Sequence, residues 1–233
     1  MTVSVSEATR GLFVTGTDTG VGKTVASVAL IQRLRTAGLC AVGMKPVASG
    51  CERTPDGWRN DDALRLQAAS DPCPVYEDVN PYALMMATAP QLAARAMGVR
   101  VDLAYLVDAY ARLAAQADAV VVEGVGGWAA PLDDGLDQVD LVRKLELPVV
   151  LVVGLRLGCL NHARLTARAI QNDGMRLIGW IGNRVDPTFA ECDEYVELLG
   201  RALPAPCLGV LSYAQSPDAA AMASSLSLPP GFA

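Results

Sequence analysis

The chain has 233 residues, 52% of them apolar and 19% charged, with a formal net charge of −6. Such a composition can bury a substantial core, and the length suits one large α/β domain or two small ones. The acidic balance disfavours nucleic acid, which needs a basic footprint, and six cysteines with no C-x-x-C pair beside a single histidine make a zinc site improbable.

The first ten residues, MTVSVSEATR, lack a basic start followed by an apolar stretch, and read as a flexible leader. No apolar run approaches the roughly 18–20 residues of a membrane span. The expectation is a soluble cytoplasmic protein with reduced thiols. GLFVTG reads as a buried strand, and GTDTGVGKT follows as a loop. The segment VGKTVASVALIQRLRTAG predicts a helix, with Val25, Val28 and Ala29 on one face and Gly38 as a stop. CAVGMKPV is the next strand. SGCERTPDGWRND is polar and rich in turn formers; DALRLQAAS is a short helix; DPCPVYEDVNPYALMMATAP is irregular and broken by prolines. QLAARAMG and VDLAYLVDAYARLAAQ read as helices, and DAVVVEG as a short apolar strand ending in a carboxylate. LDQVDLVRKLEL is an amphipathic helix, PVVLVVG a buried strand and LNHARLTARAIQNDG a helix. MRLIGWIGNRV is a strand, FAECDEYVELLGRAL a helix and APCLGVLS the last strand. The remainder, AAAMASSLSLPPGFA, is weakly patterned and is expected to be partly disordered.

Strands apolar throughout, alternating with helices, define a mostly parallel sheet flanked by helices on both faces. One α/β domain is expected over residues 11–215, after a leader at 1–10 and before a tail at 216–233. Such sheets bind ligands beyond the C-terminal ends of their strands. The loop after GLFVTG, Lys45, Glu123 and Asn183 all fall there.

A phosphate-binding loop needs glycines so that backbone N–H groups can approach phosphate, a lysine for the β/γ charge and Ser or Thr for Mg²⁺. Gly22, Lys23 and Thr24 fit the end of G-x-x-x-x-G-K-[ST]. The first glycine of that pattern would fall at Thr17, but glycine stands one position earlier, at Gly16. Glu123 stands where a Walker-B-type acid would. Asp61 and Asp62 open DALRLQAAS, where helix capping alone would account for one of them. Lys45, in MKPVASG with Ser49 following, could serve a second anion or be a solvated strand-end lysine. His162 sits at a helix start, where capping or packing is its expected role, so histidine-based general-base chemistry has a poor candidate.

Taken together, GTDTGVGKT, KPVASG, the RNDDAL segment, VNPY, VEGVGGW, VVGLRLGCLNHA, GWIGNRV and ECDEYVELL resemble the dethiobiotin synthetase family, in its order and at compatible spacing from residue 12 to about 213. The resemblance implies a P-loop NTPase-like fold and a ligation in which 7,8-diaminopelargonic acid, CO₂ and MgATP give dethiobiotin, ADP and phosphate. It implies Lys45 and Lys23 as the catalytic lysines, and Thr24, Asp62 and Glu123 as holders of Mg²⁺. Gly20, Val21, Gly22, Lys23, Thr24, Val25, Asp62, Glu123, Gly124, Val125, Gly126, Asn183, Arg184, Ser212, Tyr213 and Ala214 are implied around ATP. Asn183 resembles the residue that reads adenine. Thr19 and Ser49 would line the substrate site. Cys159, Leu160, Asn161 and Tyr195 would meet the substrate carboxylate from a neighbouring subunit, which implies a homodimer. Two positions depart from the family pattern. Gly20 replaces a glutamate found in well-known members, and SYAQSPD, with Ser212 and Tyr213, replaces a proline-bearing loop at the adenine pocket. A partition-type ATPase of the related deviant P-loop class also has glycine at the Gly20 position, but it needs a lysine where this chain has Asp18.

Overall fold

The computed structural model describes residues 10–215 and 218–232. The expected leader, apart from residue 10, and residues 216, 217 and 233 of the expected tail lie outside that range. In chain order the elements are β1 (Arg10–Gly16), α1 (Lys23–Thr36), β2 (Ala41–Met44), β3 (Val47–Ser49), β4 (Glu52–Thr54), β5 (Gly57–Arg59), α2 (Asp61–Ala69), α3 (Tyr76–Val79), β6 (Tyr82–Leu84), α4 (Pro90–Met97), α5 (Leu103–Ala114) and β7 (Ala119–Glu123). They continue with β8 (Pro131–Asp133), β9 (Leu136–Asp137), α6 (Gln138–Lys144), β10 (Val149–Leu155), α7 (Cys159–Asn172), β11 (Leu177–Arg184), α8 (Cys192–Ala202), β12 (Cys207–Leu211) and α9 (Ala219–Ser224).

Six strands form the central sheet in the order β12-β11-β10-β1-β7-β2. Every pairing in it is parallel. All residues of β7 and β10 are buried. Strands with both faces covered need no polar alternation, which is why AVVV and VVLVV read as plain apolar runs. Leu12 and Val14 point into a cluster built with α1, α2 and Met222 of α9. Phe13, between them, points into the opposite cluster with Ala109 and Leu113 of α5, Val142 of α6 and Ile170 of α7. The period of two along β1 therefore divides the core into two layers.

The order of connections positions the site. From β1 the chain runs out to β2 at the sheet edge, returns to β7 beside β1, and only then builds β10 on β1's other flank. Loops leaving the C-terminal ends of β1, β7 and β10 thus diverge and leave a crevice, where doubly wound sheets take their ligands.

Three local expectations change. The segment SGCERTPDGWRND is not a plain loop: β4 and β5 pair as a hairpin closed by Thr54–Gly57. The proline-broken stretch that follows contains α3 and β6, and β6 pairs in parallel with β3. The C-terminal segment, expected to be partly disordered, forms α9 against α1. Asp218 accepts from the Ala220 N–H at its start, and Met222, Leu226 and Phe232 are buried in the α1 cluster. Three well-spaced apolar side chains hold it there, although the alanines and serines between them carry little pattern.

Candidate active site

The loop between β1 and α1 turns back over the strand end. A Cβ at Gly16 would meet Val21 Cγ2 at 2.6 Å and Lys23 Cγ at 3.2 Å, so the glycine one place early is required by the close return of the loop. Gly22 holds a left-handed conformation, φ 86°, as the residue before α1. A Cβ there would collide with the Asn183 side-chain amide, which donates to the Val21 carbonyl at 3.0 Å. Asn183, at the end of β11, is thereby locked to the loop.

Lys23 and Lys45 converge on the mouth of this loop, and both are buried. The Lys23 ammonium donates to the carbonyls of Gly126 at 2.6 Å and Asp18 at 3.0 Å. Burial, followed by repulsion from Lys45, lowers its pKa to about 8. Lys45 directly follows β2 and donates to Glu123 Oε1 at 2.6 Å, Asp62 Oδ2 at 3.1 Å and the Gly124 carbonyl at 3.2 Å. Burial alone would pull this ammonium down; the Glu123 and Asp62 carboxylates more than offset it, and its pKa stands above the ordinary lysine value. Burial opposes ionisation of Asp62 too, but the Lys45 charge holds its carboxyl below the usual range.

Glu123 closes β7 and is fully buried. Its Oε1 accepts from the Thr24 hydroxyl at 2.9 Å as well as from Lys45. Its Oε2 has no hydrogen-bond partner among the described residues, although it is buried. A carboxylate oxygen so placed is costly unless it serves a ligand. The capping question at α2 resolves against both aspartates: Asn60 is the cap, its Oδ1 accepting from the N–H groups of Asp62 and Ala63. Asp62 is thus released for Lys45, while Asp61 stands exposed at the helix start.

A cavity of about 330 Å³ is lined by Thr19, Gly20, Gly22, Lys23, Thr24, Val25, Lys45, Ser49, Asp62, Glu123, Val125 and Gly126, together with Ala48, Asn60 and Arg65. A second, of about 210 Å³, shares Gly20, Gly22 and Val25 with it and is lined by Asn183, Arg184, Ser212, Tyr213 and Ala214. Val21 and Gly124 are buried behind these walls. A larger groove of about 510 Å³ opens beside Thr24 and Val25, between α1, α2 and α9, but neither lysine lines it. Cys159, Leu160 and Asn161, at the start of α7, line neither of the two cavities, and nor does Tyr195 on α8. Cys159 is buried, its thiol pushed up by burial, and Tyr195 stacks edge-on against Phe189 at 4.8 Å. His162 is exposed on α7 and lines neither cavity.

Gln138 is a further site residue that the sequence pattern does not mark. This first residue of α6 is buried. Its Oε1 accepts from the Val125 N–H at 2.7 Å, and its Nε2 donates to the Gly127 carbonyl at 3.1 Å. It therefore holds the VEGVGGW loop, whose Gly124 and Gly126 carbonyls receive the two lysines. A glutamine inside an amphipathic helix pattern gives no local sign of that role.

A parallel α/β sheet with a glycine-bounded loop, Lys23 and Thr24 at the start of α1, and an acid ending the neighbouring strand defines a P-loop nucleotide-binding protein. Comparison agrees: the family model of an AAA domain matches residues 10–221. The solved cell division protein FtsY of Thermotoga maritima shares the fold, with a TM-score of 0.51 at 15% identity, covering 94% of this chain and 69% of that one. The chain is 60% identical over 217 residues to the ATP-dependent dethiobiotin synthetase BioD of Xanthomonas oryzae pv. oryzae (strain PXO99A), covering 93% of this chain and 97% of that protein. It is also 60% identical over 201 residues to the same-named protein of Xylella fastidiosa (strain 9a5c), covering 86% of this chain and 89% of that protein. The chain belongs to the ATP-dependent dethiobiotin synthetase family.

Proposed function

We propose that this chain forms the cyclic urea of dethiobiotin from 7,8-diaminopelargonic acid, CO₂ and ATP, through a carbamate and its mixed anhydride with phosphate. The observation that carries the chemistry is the convergence of two buried ammonium groups, Lys23 and Lys45, on one oxygen-lined cavity without an imidazole. An alkyl amine has a pKa near that of lysine, roughly 10.4. Cations nearby favour its neutral form, which attacks CO₂, forms the N–C bond and releases a proton. The same cations stabilise the carbamate anion. A carbamate oxygen then attacks the γ-phosphorus and ADP leaves. The second amine attacks the carbonyl carbon, the C–O bond to phosphate breaks, and the ring closes with loss of a proton. Each step needs positioning and fixed charge more than a strong base.

Lys23 would follow the β- and γ-phosphates, and Lys45 the transferring group and the carbamate, with Thr19 and Ser49 beside them. Asn183, Arg184, Ser212, Tyr213 and Ala214 would enclose the base. Thr24, Asp62 and Glu123 would hold Mg²⁺. They offer a hydroxyl and two carboxylates, all hard oxygen donors, and the unpartnered Glu123 Oε2 fits such a ligand. Among the described residues no cage of three or more His, Cys, Asp or Glu surrounds the place. A pair of carboxylates is the usual protein share for Mg²⁺, the remainder coming from phosphate and water. Bound there, the ion would neutralise phosphate charge.

The start of α7 and Tyr195 stand apart from the cavity of their own chain. A homodimer, in which one subunit's α7 meets the substrate carboxylate in the other's site, would give them a role. The reaction is that of a soluble biosynthetic enzyme, which fits a cytoplasmic setting; no helix among the described residues is long and apolar enough to cross a membrane.

The test is ADP release with MgATP, bicarbonate and the diamine, each omitted in turn, with mass detection of product. Release only with all components, and dethiobiotin in the mixture, is expected. ATP hydrolysis independent of the diamine would overturn the proposal.

A further inference from the structure

Lys45 is held by more than its carboxylate partners. It stands between β2 and Pro46, and both of its backbone polar groups are taken. Its N–H donates to the Val79 carbonyl at 2.7 Å, and its carbonyl accepts from Asn80 Nδ2 at 2.6 Å. The Asn80 Oδ1 accepts from the Tyr76 hydroxyl at 3.0 Å. The Tyr76 oxygen in turn accepts from the backbone N–H of Asn60 at 2.8 Å. Asn60 is the cap of α2, and the first amide it receives is that of Asp62. One hydrogen-bonded path therefore runs from the backbone of Lys45 through Asn80 and Tyr76 to the helix start that presents Asp62. Asn80 and Tyr76 are buried, and the Arg59 guanidinium covers the Tyr76 ring at 4.1 Å.

We propose that Tyr76 and Asn80 are positioning residues that set the place of Lys45 relative to Asp62; the inference rests on the function proposed above. The two site residues come from different elements, β2's end and α2. Ala63 and Leu66 pack α2 against the sheet, and at its far end the Ser70 hydroxyl accepts from the Gly43 N–H at 2.9 Å; the path through Tyr76 and Asn80 is the brace at the end that carries Asp62. With that brace cut, the start of α2 can shift against the strand end while each element stays folded. A displacement of about 1 Å in a charge-stabilising group can cost on the order of 100-fold in rate. The tyrosine touches neither cavity, so its effect must pass through the two residues it joins.

Tyr76→Phe removes only the hydroxyl at the middle of the path. The expected result is a fall in kcat on the order of tenfold, with calorimetric MgATP affinity within about twofold of wild type. Asn80→Ala should cost at least as much, and the double variant should cost no more than Asn80→Ala alone, because both act on one path. Amide hydrogen exchange gives a readout that does not depend on turnover. In Tyr76→Phe the peptides carrying Lys45 and Asp62 should both exchange faster, while β10 is unchanged. An unchanged kcat with a lowered melting temperature would reduce the path to a structural role and overturn the proposal. So would independent, multiplying losses in the double variant, or unaltered exchange at both peptides. Wild-type enzyme assayed alongside separates the two levels: if it makes dethiobiotin while Tyr76→Phe matches it, the brace fails and the function stands.

Discussion

Replacing Lys45 by glutamine separates charge from shape at the centre of the site. The ammonium lies 2.6 Å from Glu123 Oε1 and 3.1 Å from Asp62 Oδ2. Glu123 is fully buried, whereas the Asp62 side chain is 41% exposed and can recover water. The penalty therefore falls on Glu123. Removing one partner of a buried pair costs about 3–5 kcal/mol. Here Thr24 still donates to Glu123, and the new amide can donate too, so the lower end, about 3 kcal/mol, is expected. At roughly 2–4 °C per kcal/mol for a chain of this size, the melting temperature should fall by about 6–12 °C. Turnover should fall further, by on the order of 100- to 1,000-fold, as when a preorganised charge-stabilising donor is lost. Adding Glu123→Gln removes the stranded carboxylate, and the double variant should regain most of the stability and none of the turnover. Differential scanning calorimetry and ADP release on the two single variants and the double complete the cycle. Lys45→Gln with wild-type stability and turnover within about threefold would refute the assignment of charge stabilisation to this lysine.

Three further outcomes are expected. The Lys23 pKa of about 8 means that its ammonium is lost as pH rises through that value in the free protein. MgATP affinity should then weaken by up to about tenfold per pH unit above 8, with proton uptake on binding seen by calorimetry in buffers of different ionisation enthalpy; a flat profile to pH 9 would contradict this. In the absence of ligand the sign for folding is the reverse, because between about 8 and 10.5 the unfolded lysine holds more protons than the folded one, and this group's contribution to stability rises with pH. Gly20→Glu, which introduces the side chain that the family resemblance implies at this position, meets no atom within 4 Å of its Cβ but must accept φ 73°. It should fold with a loss of about 1–2 kcal/mol and change KM for the diamine more than for ATP; a variant that fails to fold, or that changes only the ATP constant, would contradict this. Asn183→Ala removes an amide that also ties down Val21, and should raise KM for ATP by about tenfold while narrowing the preference for ATP over GTP, measured with both nucleotides; an unchanged preference would remove Asn183 from base recognition.

The parts of this protein that were legible in its sequence are those where one physical demand acts alone. GLFV of β1, AVVV of β7 and all of β10 are apolar because helices cover both faces of the sheet, and β1 and β7 lead straight into site residues. Lys23 and Thr24 could be recognised because a lysine and a hydroxyl at a helix start have little reason to be there for packing. Where two demands compete, sequence reasoning stops short. In RNDDAL three residues can each cap a helix, and only the packed structure shows that Asn60 does so, leaving Asp62 to Lys45. Gly16 looked misplaced until the return of Val21 and Lys23 over the strand end supplied its reason. Gln138 and Asn80 act by holding backbone groups of distant loops, and such contacts leave no local period or spacing. α9 escaped notice because its neighbours are small, and its anchors Met222, Leu226 and Phe232 are recognisable only once α1 offers them a surface.

The proposed chemistry requires that ATP phosphorylate a carbamate and not water. Oxygen-labelled bicarbonate in a short single-turnover incubation with MgATP and the diamine tests it directly, by mass analysis of the released phosphate. One labelled oxygen per phosphate is expected, carried over when ring closure breaks the C–O bond of the mixed anhydride. Phosphate that instead takes its new oxygen from labelled water would mean that the nucleotide is simply hydrolysed, and the proposed chemistry at Lys23 and Lys45 would be wrong.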